Sequence, residues 1–195
     1  MPLRILLIDD NPDDRTLVVR EINKVLTNAI VDEIGDALDF EATMTSGREW
    51  DVAVTDYQLG WSTGLHVFHR LRSQWPELPV IMFTASGNED IAVAALKDGL
   101  DDYITKTAVH YGRIPYAVRA CGERRRRRRE AQDATSALRR NEAILQLALD
   151  AAHMEVWEHD LDTRKTLLHG RAEHVFGGQR RELSREQLFE LLHPD

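Results

Sequence analysis

Four short apolar runs in the first 110 residues each end in a group with chemistry of its own. Asp9 and Asp10 close Leu3–Ile8, Asp56 closes Val52–Thr55, Thr84 ends Pro79–Thr84, and Lys106 follows Asp102–Thr105. Brought to one place, these residues would gather three carboxylates, a hydroxyl and an ammonium. Clustered carboxylates raise one another's pKa unless a cation sits among them. A hard divalent cation suits oxygen ligands, and Mg²⁺ keeps several waters while taking one or two carboxylates directly. A carboxylate can also act as a nucleophile and form an aspartyl phosphate. Phosphoryl transfer needs positioning and charge neutralisation, which Mg²⁺ and a lysine supply. Thr84 and backbone N–H groups behind it, in Ala85-Ser86-Gly87, could bind the remaining phosphoryl oxygens. Singly, each residue has an ordinary role as a helix cap, a strand former or a surface lysine. Jointly, four run ends with complementary chemistry point to a site.

Convergence of this kind requires that the runs be parallel strands of one sheet. Leu3–Ile8, Val52–Thr55 and Pro79–Thr84 are near-continuous apolar stretches, as expected of strands buried on both faces. Ile30–Ile34 and Asp102–Thr105 read as weaker strands. Helices are expected between them. Asn11 caps one that begins at Pro12 and carries Leu17, Val18, Ile22, Val25 and Leu26 at helical spacing. Asp36 caps the next, Leu65–Leu71 marks a third that stops before Pro76, and Asn88 and Gly99 bracket a fourth. Five alternations within about 120 residues argue for an α/β fold with a parallel sheet and helices on both faces. In such sheets ligands bind past the carboxyl ends of the strands, where all five groups would lie.

The 195 residues leave room for one domain and part of another. The net charge of −8 is unevenly spread, −10 over residues 1–110 and +2 over 111–195, so the character of the chain changes near residue 110. The one cysteine, Cys121, excludes an internal disulfide framework, and no Cys/His cluster has zinc spacing. The N-terminus lacks a signal-peptide pattern and no apolar run would span a membrane, so a cytoplasmic protein without membrane contact is expected.

From about Ile114 to Ala152 the residues favour helix. A heptad frame runs through Ala131, Ala134, Leu138, Asn141, Leu145, Ala148 and Ala152, which predicts a helical linker able to pair as a coiled coil in a homodimer. Arg124 to Arg129 are six consecutive arginines. Their charges point all round one helix and Glu123 and Glu130 flank them, so a solvated linker face is expected rather than a nucleic-acid interface. Beyond the linker, Glu155–Asp160 and Lys165–His169 are expected to form a hairpin, and Ala172–Phe176 and Leu183–Leu192 to be helical.

Residues 1–121 resemble the receiver domain of two-component response regulators. The Asp9-Asp10 pair, Asp56, Thr84-Ala85, Tyr103 and Lys106 carry the resemblance in order and spacing. It implies a five-stranded flavodoxin-like fold with Asp56 as phosphoacceptor. It also implies Mg²⁺ held directly by Asp10 and Asp56 and the Gln58 backbone carbonyl, and through water by Asp9. Lys106 would pair with the phosphoryl group, Thr84 would move toward it, and Tyr103 would swing inward as the coupled switch. The chain departs from the usual pattern at Gly60-Trp61 and at Thr107, where many receivers carry proline, which bears on loop geometry and phosphoryl lifetime. Residues 146–195 resemble the start of a PAS domain through Leu147–Ala152, Val156–Leu161 and Leu191–Asp195; about half of such a domain is present, as in a fragment of a longer protein.

The resulting expectation is a receiver at 1–121, a helical linker at 122–150 and a partial PAS-like segment at 151–195. A histidine kinase or phosphotransfer protein would phosphorylate Asp56, and the change would pass through the C-terminal helix toward an output. The chain would be no enzyme beyond its own phosphorylation and dephosphorylation. The alternative is a receiver-like interaction module that is never phosphorylated.

Overall fold

The computed structural model describes residues 2–85, 89–152, 156–163, 165–169 and 182–184. The chain divides into two units, Met1–Glu130 and Ala131–Asp195.

The first unit is built on five parallel strands: β1 Arg4–Ile8, β2 Ile30–Ile34, β3 Val52–Thr55, β4 Val80–Thr84 and β5 Asp102–Thr105. Their order across the sheet is β2-β1-β3-β4-β5. The apolar runs are buried on both faces, as their composition requires. Leu6, Ile8, Ala53, Val80 and Met82 point to one face. Ile5, Leu7, Val52, Val54, Ile81 and Phe83 point to the other. Each fully buried aliphatic or aromatic side chain of this kind is worth about 1.5–3 kcal/mol relative to its exposed state.

Helices cover both faces. On the first lie α2 Ala37–Thr45, α3 Gly64–Gln74 and α4 Glu89–Lys97, contributing Phe40 and Met44, then Val67, Phe68 and Leu71, then Ala95. On the second lie α1 Pro12–Val25 and the start of α5 Ile114–Ala152, contributing Val18, Ile22, Ile114, Val118 and Cys121. Local chemistry sets their ends. Asn11 Oδ1 accepts from Asp13 N at 2.9 Å with Pro12 in the first turn, and Asp36 Oδ1 accepts from Asp39 N at 2.9 Å. Gly99, at φ +98°, follows α4 in a conformation that glycine adopts without strain. The proposed Asn88 cap and Ser86-Gly87 lie outside the described residues.

The arginine run differs from expectation. It is not simply a solvated face, because half of it is engaged with acidic residues of the sheet's amino edge. Arg126 reaches Asp51 at 3.5 Å and the Pro2 carbonyl at 3.1 Å. Arg128 meets Glu77 at 3.0 Å and Arg129 meets Glu49 at 2.6 Å. Arg125 is buried. The cause lies in the phase of α5: Ile114, Val118, Cys121 and Arg125 recur at helical spacing, so the apolar stripe that docks the helix carries Arg125 inward with it.

In the second unit, β6 Val156–His159 and β7 Lys165–His169 form the expected antiparallel hairpin. A third strand, β8 Glu182–Ser184, pairs antiparallel with β7. The expected helix over Leu183–Leu192 is therefore wrong at its start: Leu183 and Ser184 take ladder partners in Thr166 and Lys165. Apolar spacing over so short a stretch does not separate strand from helix. The remainder of that stretch, and Ala172–Phe176, lie outside the described residues.

Candidate functional site

The parallel ladder delivers the chemistry-bearing residues to one edge. Asp9 leaves β1 with its N–H donating to the Ile34 carbonyl at 3.0 Å, and Asp56 leaves β3 with its N–H donating to the Ile8 carbonyl at 2.9 Å. Thr84, the buried last residue of β4, accepts from Lys106 N at 2.7 Å. The backbone thus fixes the four positions before any side chain acts.

Lys106 is the centre. Its ammonium donates to Asp9 Oδ2 at 2.6 Å, Asp56 Oδ2 at 2.6 Å and Asp14 Oδ2 at 2.8 Å. All three N–H donors of a lysine are thereby used. Only 3% of the Lys106 side chain is exposed. Burial alone would lower its pKa, but the bonds from Asp14, Asp56 and Asp9 outweigh burial and hold it above the ordinary lysine value. Asp9 shows the reverse balance: burial raises its carboxyl above the usual value, despite the opposing bond and charge of Lys106. At Asp14, burial is outweighed by bonds from Lys106 and Tyr111, and its pKa lies below the usual range.

Ligand oxygens of Asp9, Asp14 and Asp56 all lie within 4.8 Å of one another. This all-oxygen set suits a hard divalent cation. It differs from the expected one at Asp10. Asp10 is turned toward the loop after β3, where its Oδ2 accepts from Gly60 N at 2.8 Å. Gln58 meets Asp56 through its amide, which donates to Asp56 Oδ1 at 3.2 Å.

Tyr103 sits in β5 with its ring packed against the first core, and its hydroxyl is enclosed without a hydrogen-bond partner. Burial, then the neighbouring Tyr57 and Asp56, push its pKa up. The side chain is thus already directed inward.

Two further residues were not anticipated. Asp14 stands in the first turn of α1, where a carboxylate is expected simply from the helix dipole. Tyr111, in the 3₁₀ turn before α5, donates to Asp14 Oδ1 at 2.9 Å and packs edge-on against Phe83. No motif announces it. Burial and the bond to Asp14 raise its pKa from 10.0 to about 12. The folded state therefore holds the phenolic proton more tightly than the unfolded chain. That contribution is fully present below pH 10 and is lost as pH rises toward about 12. Tyr111→Phe keeps the ring contact and removes the proton, so its alkaline stability loss should be shallower than the parent's in urea titrations at successive pH values. Superimposable alkaline limbs would show that Tyr111 plays no such part.

The family model for the response regulator receiver domain matches residues 5–114. The chain belongs to the response regulator receiver family. Among curated relatives, response regulator RppA of Synechocystis is 34% identical over 110 residues, covering 55% of this chain and 45% of its own. The probable transcriptional regulatory protein TcrX of Mycobacterium tuberculosis is 35% identical over 107 residues, covering 54% of this chain and 44% of its own. The chain thus spans less than half the length of these relatives. Among solved structures, the signal receiver domain of a LuxO-like repressor from Vibrio parahaemolyticus has a TM-score of 0.59 at 19% identity, covering 67% of this chain and 98% of its own. The response regulator Rcp1, solved in a Mn²⁺-bound form, has a TM-score of 0.52 at 23% identity, covering 58% and 90%. Both share the fold. The family consists of phosphorylatable two-component regulator modules, and this chain has the acidic cluster of Asp9, Asp14 and Asp56 at the carboxyl edge of its sheet. Among the described residues, no helix is long and apolar enough to cross a membrane.

Proposed function

We propose that Asp56 is the phosphoacceptor, taking a phosphoryl group from the phosphohistidine of a histidine kinase or phosphotransfer protein in the cytoplasm. The observation that carries this reading is the 2.6 Å contact of Lys106 Nζ with Asp56 Oδ2, inside a carboxylate cluster at the carboxyl edge of the sheet. A carboxylate oxygen of Asp56 attacks phosphorus, the P–N bond breaks, and the imidazole leaves with a proton taken from water. Lys106 stays beside the transferred group and offsets its charge. Bound Mg²⁺ would neutralise charge on the transferring oxygens. Asp9, Asp14 and Asp56, whose oxygens lie close together, would hold it, with Asp10 and the Gln58 carbonyl as further ligands in this reading. Thr84 would contact the new phosphoryl oxygens, and Tyr103, enclosed beside them, would be the coupled switch.

The test is intact mass after incubation with acetyl phosphate, with Mg²⁺ or with chelator. The parent should gain one phosphoryl group with Mg²⁺ and almost none with chelator, and Asp56→Asn should gain none. A folded parent that gains nothing would sink the reading and leave an unphosphorylated interaction module.

The receiver occupies about 1–121 in this proposal, α5 relays its state through a linker at about 122–150, and 151–195 begins a PAS-like segment. The linker pairs two copies in parallel. Leu138 and Leu145, seven residues apart in the heptad frame, are both exposed in the single chain. Light scattering should give a dimer for the parent and a monomer for the Leu138→Asp, Leu145→Asp double variant. A monomeric parent at micromolar concentration would rule out pairing by the linker.

A further inference from the structure

A second charged pocket lies at the opposite edge of the same sheet. It is a cavity of about 120 Å³ where the residues preceding β4 and β5 meet the arginine run of α5. Its volume corresponds to about four waters at the liquid's share of roughly 30 Å³ each. Arg72, Arg124, Arg125 and Arg128 line it, together with Glu77 and Asp101. These side chains carry four positive charges against two negative.

The arginines are not equivalent. Arg72 is committed to the fold: it donates to the Pro76 carbonyl at 2.7 Å, the Gly99 carbonyl at 2.6 Å and Asp101 Oδ2 at 2.8 Å. Arg128 meets Glu77 at 3.0 Å. Arg124 is exposed at the rim. Arg125 is only 9% exposed, and its Nε and Nη1 are enclosed without a hydrogen-bond partner. Burial, then the nearby Arg129 charge, hold its pKa below the ordinary arginine value. A buried guanidinium with two of its three nitrogens unbonded is costly, because arginine stays charged and its donors have lost water. The acidic residues lining the cavity are already taken up, Asp101 by Arg72 and Glu77 by Arg128, so neither offers Arg125 an acceptor.

We propose that this cavity is an anion site for a small phosphate dianion, either inorganic phosphate or the head of a phosphomonoester, with Arg125 as its inner donor and Arg124 as its outer one. The excess of two positive charges matches a dianion, whereas a single carboxylate would leave one charge uncompensated. Tetrahedral oxygens can meet donors from the inside and the rim at once, and guanidinium groups suit phosphate geometry. The cavity is large enough for a phosphate head. An anion there would tie α5 to the segment before β4, on which Glu77 lies. This site is remote from the Asp56 pocket by topology, since one lies at the amino ends and the other at the carboxyl ends of the strands.

The test uses the full chain, free of Mg²⁺ so that the Asp56 pocket recruits no phosphate through a cation. Amide resonances are followed by NMR while inorganic phosphate or O-phosphoserine replaces chloride at constant ionic strength. Saturable shifts are expected at Glu77, Asp101 and Arg124–Arg128, with Asp9 and Asp56 unmoved. Inorganic phosphate binding as tightly as O-phosphoserine identifies the free ion, and tighter binding of O-phosphoserine identifies a phosphomonoester. Arg125→Met keeps the aliphatic stem and should weaken binding about ten- to a hundredfold, the range of charge-assisted hydrogen bonds. Arg124→Gln, at an exposed position that leaves the core untouched, should weaken it severalfold. The proposal fails if neither anion produces saturable shifts at these residues. It also fails if Arg124→Gln and a folded Arg125→Met both bind as the parent does.

Discussion

Lys106→Met is expected to destabilise the receiver by about 3–5 kcal/mol near neutral pH, the usual cost of removing one partner from a buried charge cluster. Methionine has a comparable unbranched stem and is adaptable in packing, so the loss is one of charge rather than volume. Three carboxylates that now share an ammonium would face one another without it. Asp9 suffers most, since burial already raises its pKa and the bond and charge of Lys106 are what oppose that rise. In the variant its carboxyl should titrate higher still. A folded-state carboxyl pKa above the unfolded value of 3.8 means the folded state binds protons more tightly, so the variant gains stability as pH falls toward that range. Lys106 in the parent acts in the same direction but in a separate, alkaline window. Its raised pKa contributes stability that is fully present below pH 10.5 and is lost only as pH rises through the folded value. Urea midpoints from pH 5 to 8 should therefore diverge, with the gap between parent and variant widening as pH rises. Added Mg²⁺ should narrow that gap, because a divalent cation among the same oxygens replaces the missing charge. A variant whose midpoint matches the parent's at pH 8 would show that the cluster does not depend on the ammonium.

Much of this site could be read from the sequence because it depends on strand ends. Once Leu3–Ile8, Val52–Thr55, Pro79–Thr84 and Asp102–Thr105 are recognised as parallel, the groups that follow them must share an edge, whatever their rotamers. Asp9, Asp56, Thr84 and Lys106 meet there as expected. The side-chain roles were less legible. Adjacent carboxylates at 9 and 10 point in different directions, one to Lys106 and the other to Gly60, and sequence alone does not say which. Asp14 was hidden by its ordinary place in a helix's first turn. Arg125 was hidden by its neighbours, since six identical residues carry no periodicity. The signal lay upstream, in the phase set by Ile114, Val118 and Cys121, which continues onto Arg125 and selects it from the run. The second unit was read correctly where a turn joined two alternating runs and wrongly at Leu183, where a strand of three residues has no period of its own.

The other large effect is expected at a residue that does no chemistry. Gly64 opens α3 and returns the loop after Asp56 to the domain, its N–H donating to the Tyr57 carbonyl at 2.7 Å. A Cβ at this position would collide with the Asp56 carbonyl oxygen and lie 2.8 Å from Tyr57 Cα and 3.0 Å from the Asp56 carbonyl carbon. Every one of these obstacles is backbone, so no rotamer change can relieve the overlap. Gly64→Ala gains up to about 1 kcal/mol of helix propensity. Against that, overpacking costs about 1–3 kcal/mol even where neighbouring side chains can yield. Here the main chain must move instead, so the steric term wins and a net loss of about 2 kcal/mol is expected. The displacement falls on Asp56 itself, whose carboxylate is held by Lys106 on one oxygen and by Gln58 N on the other. Phosphorylation by acetyl phosphate should consequently slow in Gly64→Ala at temperatures where the variant remains folded. Gly112→Ala supplies the control: a Cβ there meets nothing within 4 Å, so stability should stay within about 0.5 kcal/mol of the parent and phosphorylation should be unchanged. Equal rates and midpoints in Gly64→Ala and Gly112→Ala would mean that the loop tolerates the extra carbon, and that the position of Asp56 does not depend on this close approach.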